Sequence, residues 1–156
     1  MAIAIGDKAP AFTLTSDTKS EVSLADYSGK NTVILFFPLA FTGVCTAELC
    51  QMRDEKSEYD ALDAEILGIS IDSPFVLEEF KKQQNYNFPL LSDFNREVSV
   101  AYDTMYETFV LGMNKVSKRS AFVVDKNGIV KYAEVLDDAG ELPNFAAIKE
   151  TLKTLS

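Results

Sequence analysis

The stretch Thr32-Val33-Ile34-Leu35-Phe36-Phe37-Pro38-Leu39-Ala40-Phe41-Thr42-Gly43-Val44-Cys45 carries the chain out of one kind of secondary structure and into another. Thr32–Phe37 is a short run of β-branched and aromatic side chains with no polar face, the pattern of a strand buried inside a sheet. Pro38 ends it, because proline has no N–H to give to a sheet ladder. From about Gly43 to Ala61 the pattern is helical, so Cys45 stands in the first turn of a helix that follows a buried strand. Free backbone N–H groups and the positive end of the helix dipole favour an anion there, and the thiolate is the nucleophilic form of cysteine. Thr42, three residues earlier, can turn its hydroxyl toward the sulfur or toward a substrate oxygen, and Pro38 can screen one side from water. The plainer alternative for Cys45 is an inert buried thiol packing as a small hydrophobe.

Working outward, further strands read as Ile66–Ile71, Ser120–Val124 and Ile129–Val135. Ser73-Pro74 opens a helix, since serine caps and proline is tolerated in the first turn. A shorter helix covers Arg96–Tyr102, Asp125–Gly128 reads as a hairpin turn, and Pro143–Leu155 carries Phe145, Ile148 and Leu152 at helical spacing. The order of elements is that of an α/β domain and is compatible with a thioredoxin-like sandwich, a mixed central sheet flanked by helices. With 156 residues, 47% of them apolar, the chain can bury a core without staples. No repeat or linker divides it, so one domain over 1–156 is expected.

A net charge of −9 argues against nucleic acid or anionic lipid as a partner. No apolar run approaches the roughly 20 residues that span a bilayer, and Met1 to Pro10 lacks the pattern of a secretory signal, so a cytoplasmic protein is expected. The chain has no histidine, which removes Ser–His and Cys–His pairs and imidazole metal ligands together. Its two cysteines, Cys45 and Cys50, are five positions apart, unlike the dispersed spacing of a secreted disulfide scaffold. They are too few to complete a structural metal site, and no metal or cofactor is expected.

Pro38, Thr42 and Cys45 spell Pro-x-x-x-Thr-x-x-Cys, and with Gly6–Phe12, Phe88–Asp93 and Arg119–Asp125 the chain resembles the peroxiredoxin family of the AhpC/TSA superfamily. In wording it is similar to the AhpE subgroup. The resemblance implies a thioredoxin-like fold and a thiol-dependent peroxidase acting on hydrogen peroxide and organic hydroperoxides. In it Cys45 attacks a peroxide oxygen and becomes a sulfenic acid. Arg119 matches the family's arginine, which holds the thiolate ionised and stabilises charge on the peroxide oxygens. Glu48 matches an acidic position that orients the arginine. The ordinary alternatives are a surface arginine at a strand start and a glutamate favoured by a helix N-terminus. Phe37, Leu39, Phe41, Phe75, Tyr106 and Met113 offer an apolar collar for organic hydroperoxides, or are simply core. The family also implies a thioredoxin- or glutaredoxin-like or low-molecular-weight thiol reductant, and a homodimer for which Phe41, Tyr102, Tyr106 and Phe109 are candidate contacts.

On the helix, Cys45, Leu49, Met52, Lys56 and Tyr59 share one stripe, while Cys50 is turned by about 140° toward Ala47, Asp54 and Ser57. That polar flank suits a resolving thiol, as in the PrxQ-like, bacterioferritin-comigratory type of peroxiredoxin, although Cys50 can equally be a spectator. Five residues rise about 7.5 Å, beyond the roughly 4.4–6.8 Å Cα separation of a disulfide, so resolution by Cys50 requires the first helical turn to unwind. The rival reading is a redox sensor or thioredoxin-like carrier. Against the carrier stands Cys-x4-Cys where a thioredoxin has Cys-x-x-Cys, and Thr42 and Arg119 are residues that a simple dithiol carrier does not require.

Overall fold

Every residue of the strand Asn31–Phe36 is buried, and the sheet is built outward from it. A computed structural model describes residues 3–155. Its strands are β1 (Thr13–Ser16), β2 (Glu21–Ser23), β3 (Asn31–Phe36), β4 (Ala64–Ser70), β5 (Leu90–Ser92), β6 (Met105–Thr108), β7 (Asn114–Ser117), β8 (Ser120–Val124) and β9 (Val130–Val135). Its α-helices are α1 (Gly43–Asp54), α2 (Lys56–Ala61), α3 (Pro74–Gln84), α4 (Glu97–Ala101) and α5 (Phe145–Leu155). Seven strands form one mixed sheet in the order β2-β1-β5-β4-β3-β8-β9, and β6 and β7 pair apart from it. β3, β4 and β5 run parallel, joined by helices, and the pairs toward both edges are antiparallel.

Alternate residues of β3 feed two cores. Val33, Leu35 and Phe37 meet Leu49 and Met52 of α1, Tyr59 of α2, Leu77 and Phe80 of α3, and Ile148 and Leu152 of α5. Ile34 and Phe36 meet Val98 of α4, Tyr102, Phe122 and the N-terminal segment on the other face. This is the α/β thioredoxin-like sandwich expected, with helices on both sides of the sheet. At Gly68 in β4 a Cβ would lie 2.9 Å from the Leu90 side chain, so glycine is what lets β5 and the Phe37 ring close over that strand.

Three expectations are corrected. The helix after Cys45 is not continuous to Ala61 but breaks at Glu55. Lys149 of α5 pairs with Glu55 and Glu58 and lies over the Tyr59 ring, so packing against α5 sets the offset between α1 and α2. Tyr102 is fully buried among Phe12, Phe36 and Phe122, with its hydroxyl donating to the Pro10 carbonyl at 2.8 Å, and cannot contribute to a subunit contact. Phe37 is likewise core, against Phe80, rather than part of a collar.

Candidate active site

The site forms where β3 ends. Pro38 is buried directly after the strand, and Phe41 takes a left-handed backbone conformation with φ of 67°. A non-glycine residue in that region is strained by about 1 kcal/mol or more. The Phe41 ring packs tilted against Phe80 of α3 with centroids 4.9 Å apart, and the Ala40 N–H donates to Asp72 Oδ2 at 2.8 Å, so the loop is held from α3 and from the residues just past β4. Thr42 then caps α1 in extended conformation. The first intrahelical bond runs from the Thr46 N–H to the Thr42 carbonyl, which leaves the amides of Gly43, Val44 and Cys45 ahead of the ladder.

Cys45 is fully buried, one helical turn from Leu49 and beside Glu48. The β3–β8 register sets Ser120 opposite Phe36, so Arg119 falls level with the end of β3 and reaches across to the helix. Its Nη2 donates to the Cys45 sulfur at 3.2 Å and its Nη1 to Glu48 Oε1 at 2.8 Å. Nε and Nη2 both donate to the Ala139 carbonyl, at 3.1 and 3.0 Å. Arg119 is only 2% exposed, so it is not a surface arginine. The arrangement sets a positive charge, fixed by a carboxylate and a carbonyl, against a buried sulfur, where it can hold negative charge developing on sulfur or on an oxygen in contact with it.

The Glu48 carboxyl is completely buried and its Oε2 has no hydrogen-bond partner among the described residues. Burial pushes this group up to about 7, against the opposing pull of Arg119. The folded chain therefore holds that proton more tightly than the unfolded chain, whose carboxyl sits near 4.5. The contribution to stability is fully present below the unfolded value and is lost as the pH rises through about 7. Glu48→Gln, which cannot ionise, is expected to flatten the fall in Tm between about pH 5 and 7, measured by calorimetry; an unchanged slope would assign the decline to another group.

Of the other residues singled out in the sequence, Thr42 is exposed and donates its hydroxyl to the Leu39 carbonyl at 2.8 Å, not to the sulfur. Its lone pairs thus remain available to accept. Cys50 is half-buried, because the end of α3 and the residues after it fold over its polar flank: its thiol faces Gln84 Oε1 at 3.6 Å and the Tyr86 hydroxyl at 3.8 Å. Both cysteines are free thiols, and α1 is unbroken from one to the other. Three neighbours were not apparent from the sequence: the Ala139 carbonyl behind Arg119, Asp72 beneath the Ala40 loop, and Tyr86, which faces Cys50 and lies outside the Cys45–Arg119 site. A main-chain carbonyl leaves no side-chain signal. Asp72 stands just past β4 without a motif around it.

A family model described as the AhpC/TSA family matches residues 5–133. The chain belongs to the AhpC/TSA family. It is 40% identical over 134 residues to alkyl hydroperoxide reductase E of Mycobacterium bovis, covering 84% of each chain. It is 37% identical over 129 residues to a Haemophilus influenzae protein named for the peroxiredoxins, covering 82% of this chain and 83% of that one. Among solved structures, the peroxidoxin BcpB of Mycobacterium tuberculosis superposes with a TM-score of 0.87 at 26% identity, over 99% of both chains. A cysteine variant of PrxQ from Xylella fastidiosa, at 23% identity and the same TM-score over 99% and 98%, bears on the fold alone. This AhpC/TSA member is a thiol-dependent peroxidase, an enzyme that reduces hydroperoxides. Catalysis is accordingly favoured over the carrier or sensor reading.

Proposed function

We propose that Cys45 is the attacking sulfur. Its thiolate displaces on the terminal peroxide oxygen, the O–O bond breaks with its electron pair passing to the leaving oxygen, and that oxygen takes a proton to depart as water or alcohol. Sulfur is oxidised to the sulfenic acid and the peroxide reduced. The observation that carries this reading is the buried contact from Arg119 Nη2 to the sulfur at 3.2 Å, made while the same guanidinium is held by Glu48. Arg119 stabilises the charge that spreads over sulfur and both oxygens. Glu48 positions Arg119. Thr42 accepts from the peroxide O–H, and Pro38 keeps water from one side of the sulfur.

A groove between Tyr106, Phe109, Val110 and Ala139 adjoins the carbonyl that holds Arg119, and it suits the apolar part of an organic hydroperoxide. Cys50 resolves the sulfenic acid: the sulfenic oxygen leaves as water and the Cys45–Cys50 disulfide forms. A thioredoxin-, glutaredoxin- or small-thiol donor then reduces that disulfide. The setting is cytoplasmic, where such donors keep thiols reduced. Two copies pair through the face bearing Phe41, Tyr106 and Phe109; Phe41 is 48% exposed.

The test is a single turnover with one equivalent of hydroperoxide, followed by mass spectrometry of the intact protein. Wild type is expected to lose the mass of two hydrogens, and Cys50→Ser to gain one oxygen at an unchanged rate of first oxidation. A sulfenic acid that persists in the wild type would remove Cys50 from the cycle. No fast oxidation in either protein would remove Cys45 from the attacking role.

A further inference from the structure

The last residue of α3 and the segment following it hold α1 at three heights. At the far end, Arg53 Nη1 donates to the Gln84 carbonyl at 2.5 Å and Asn87 Nδ2 to the Arg53 carbonyl at 3.3 Å. In the middle, Gln84 and Tyr86 face the Cys50 sulfur. In the first turn, the Tyr86 hydroxyl donates to the Thr46 carbonyl at 3.4 Å. The Tyr86 ring is held by aromatic side chains outside α1. It is 4% exposed, set edge-on to Phe80 at 5.1 Å and stacked on Phe88 at 5.7 Å. Asn85, in left-handed conformation, ends α3 and turns the chain so that the Tyr86 N–H bonds back to the Lys81 carbonyl. A phenol anchored in this way cannot follow α1 when its first turns open; the bonds to Thr46 and Cys50 must break.

We propose that Tyr86 is a latch on the Cys45–Cys50 segment, a positioning residue that sets how often the first turns of α1 open. It thereby divides the Cys45 sulfenic acid between two fates. This inference rests on the reading of Cys50 as the resolving thiol. In the open state the Cys50 sulfur attacks the sulfenic sulfur, water leaves and the disulfide forms. In the closed state the sulfenic acid meets a second hydroperoxide, which is reduced to its alcohol or water as the sulfur is oxidised to the sulfinic acid. Holding the latch prolongs the lifetime of the sulfenic acid, and loosening it favours the disulfide.

The test is Tyr86→Phe, which keeps the ring and removes the hydroxyl. Amide hydrogen exchange over 46–50 in the reduced protein is expected to speed up about five-fold, the change that one neutral hydrogen bond produces. Disulfide formation after a single turnover is expected to accelerate by a similar factor, and the sulfinic fraction under excess hydroperoxide to fall. The rate of first oxidation stays within about two-fold, since Tyr86 touches neither Arg119 nor the Cys45 sulfur. Asn87→Ala, at the other end of the segment, is expected to leave exchange over 46–50 unchanged. Unchanged exchange in Tyr86→Phe overturns the latch, as does faster exchange without faster disulfide formation. A wild type that never forms the Cys45–Cys50 disulfide is a failure of the resolving reading instead, and it is seen before any Tyr86 variant is made.

Discussion

Cys45→Ser is expected to abolish hydroperoxide consumption, by a factor of at least about 10³ in stopped-flow assays. A serine hydroxyl fits the same fully buried position and can still accept from Arg119 Nη2, so packing and the Arg119–Glu48 pair persist. What is lost is the sulfur itself, a polarisable atom able to take an oxygen. Thermal unfolding is expected to stay within a few degrees of wild type. A folded serine variant that consumes hydroperoxide at the wild-type rate would place the chemistry at another residue.

Arg119→Ala is expected to lower kcat/KM by about 10²–10³, the usual effect of removing a fixed donor from developing charge. It also takes from the buried Glu48 carboxyl the cation that opposed its burial, which pushes that group further up toward the neutral acid, and Tm is expected to fall. The two effects can be separated. Arg119→Met combined with Glu48→Gln removes both charges, and is expected to regain much of the stability but none of the rate. Arg119→Lys keeps a charge but not the planar fork that serves sulfur, carboxylate and carbonyl at once. It is therefore expected to stay slow. If the doubly neutral variant recovered activity with its stability, the arginine would be structural.

The central strands were legible because their signal is local. Asn31–Phe36, Ala64–Ser70 and Ser120–Val124 each contain a short run rich in Val, Ile, Leu or Phe, and Asp125-Lys126-Asn127-Gly128 turns the last hairpin, with Asp125 Oδ1 accepting from the Asn127 and Ile129 amides. The strands that were not legible are three or four residues long: Thr13–Ser16, Glu21–Ser23, Leu90–Ser92, Met105–Thr108 and Asn114–Ser117, all but Leu90–Ser92 at least half polar. They are strands because a neighbour offers a ladder, and a window of sequence does not show neighbours. The same holds at the site. Pro38, Thr42 and Cys45 are adjacent in sequence and could be read together. Arg119 became a candidate only through the family resemblance, since its register against β3 is a tertiary fact. For Cys50 the helical wheel shows the polar flank within its own helix, and not the Gln84–Tyr86 stretch that covers it.

The Arg119–Cys45 contact joins residues 74 positions apart. On a growing chain, sulfur emerges long before the cation that is to face it, and the two meet only after β8 has docked on β3. Bringing distant segments together in this way is among the slower events of folding. A chain with β3, β4 and α1 in place but no β8 has the Cys45 sulfur without the guanidinium that faces it. With Cys45 as the proposed attacking sulfur, full reactivity is expected to arrive with closure of the fold, and a half-made molecule in an oxidising moment to be spared some of the chemistry that its finished form performs.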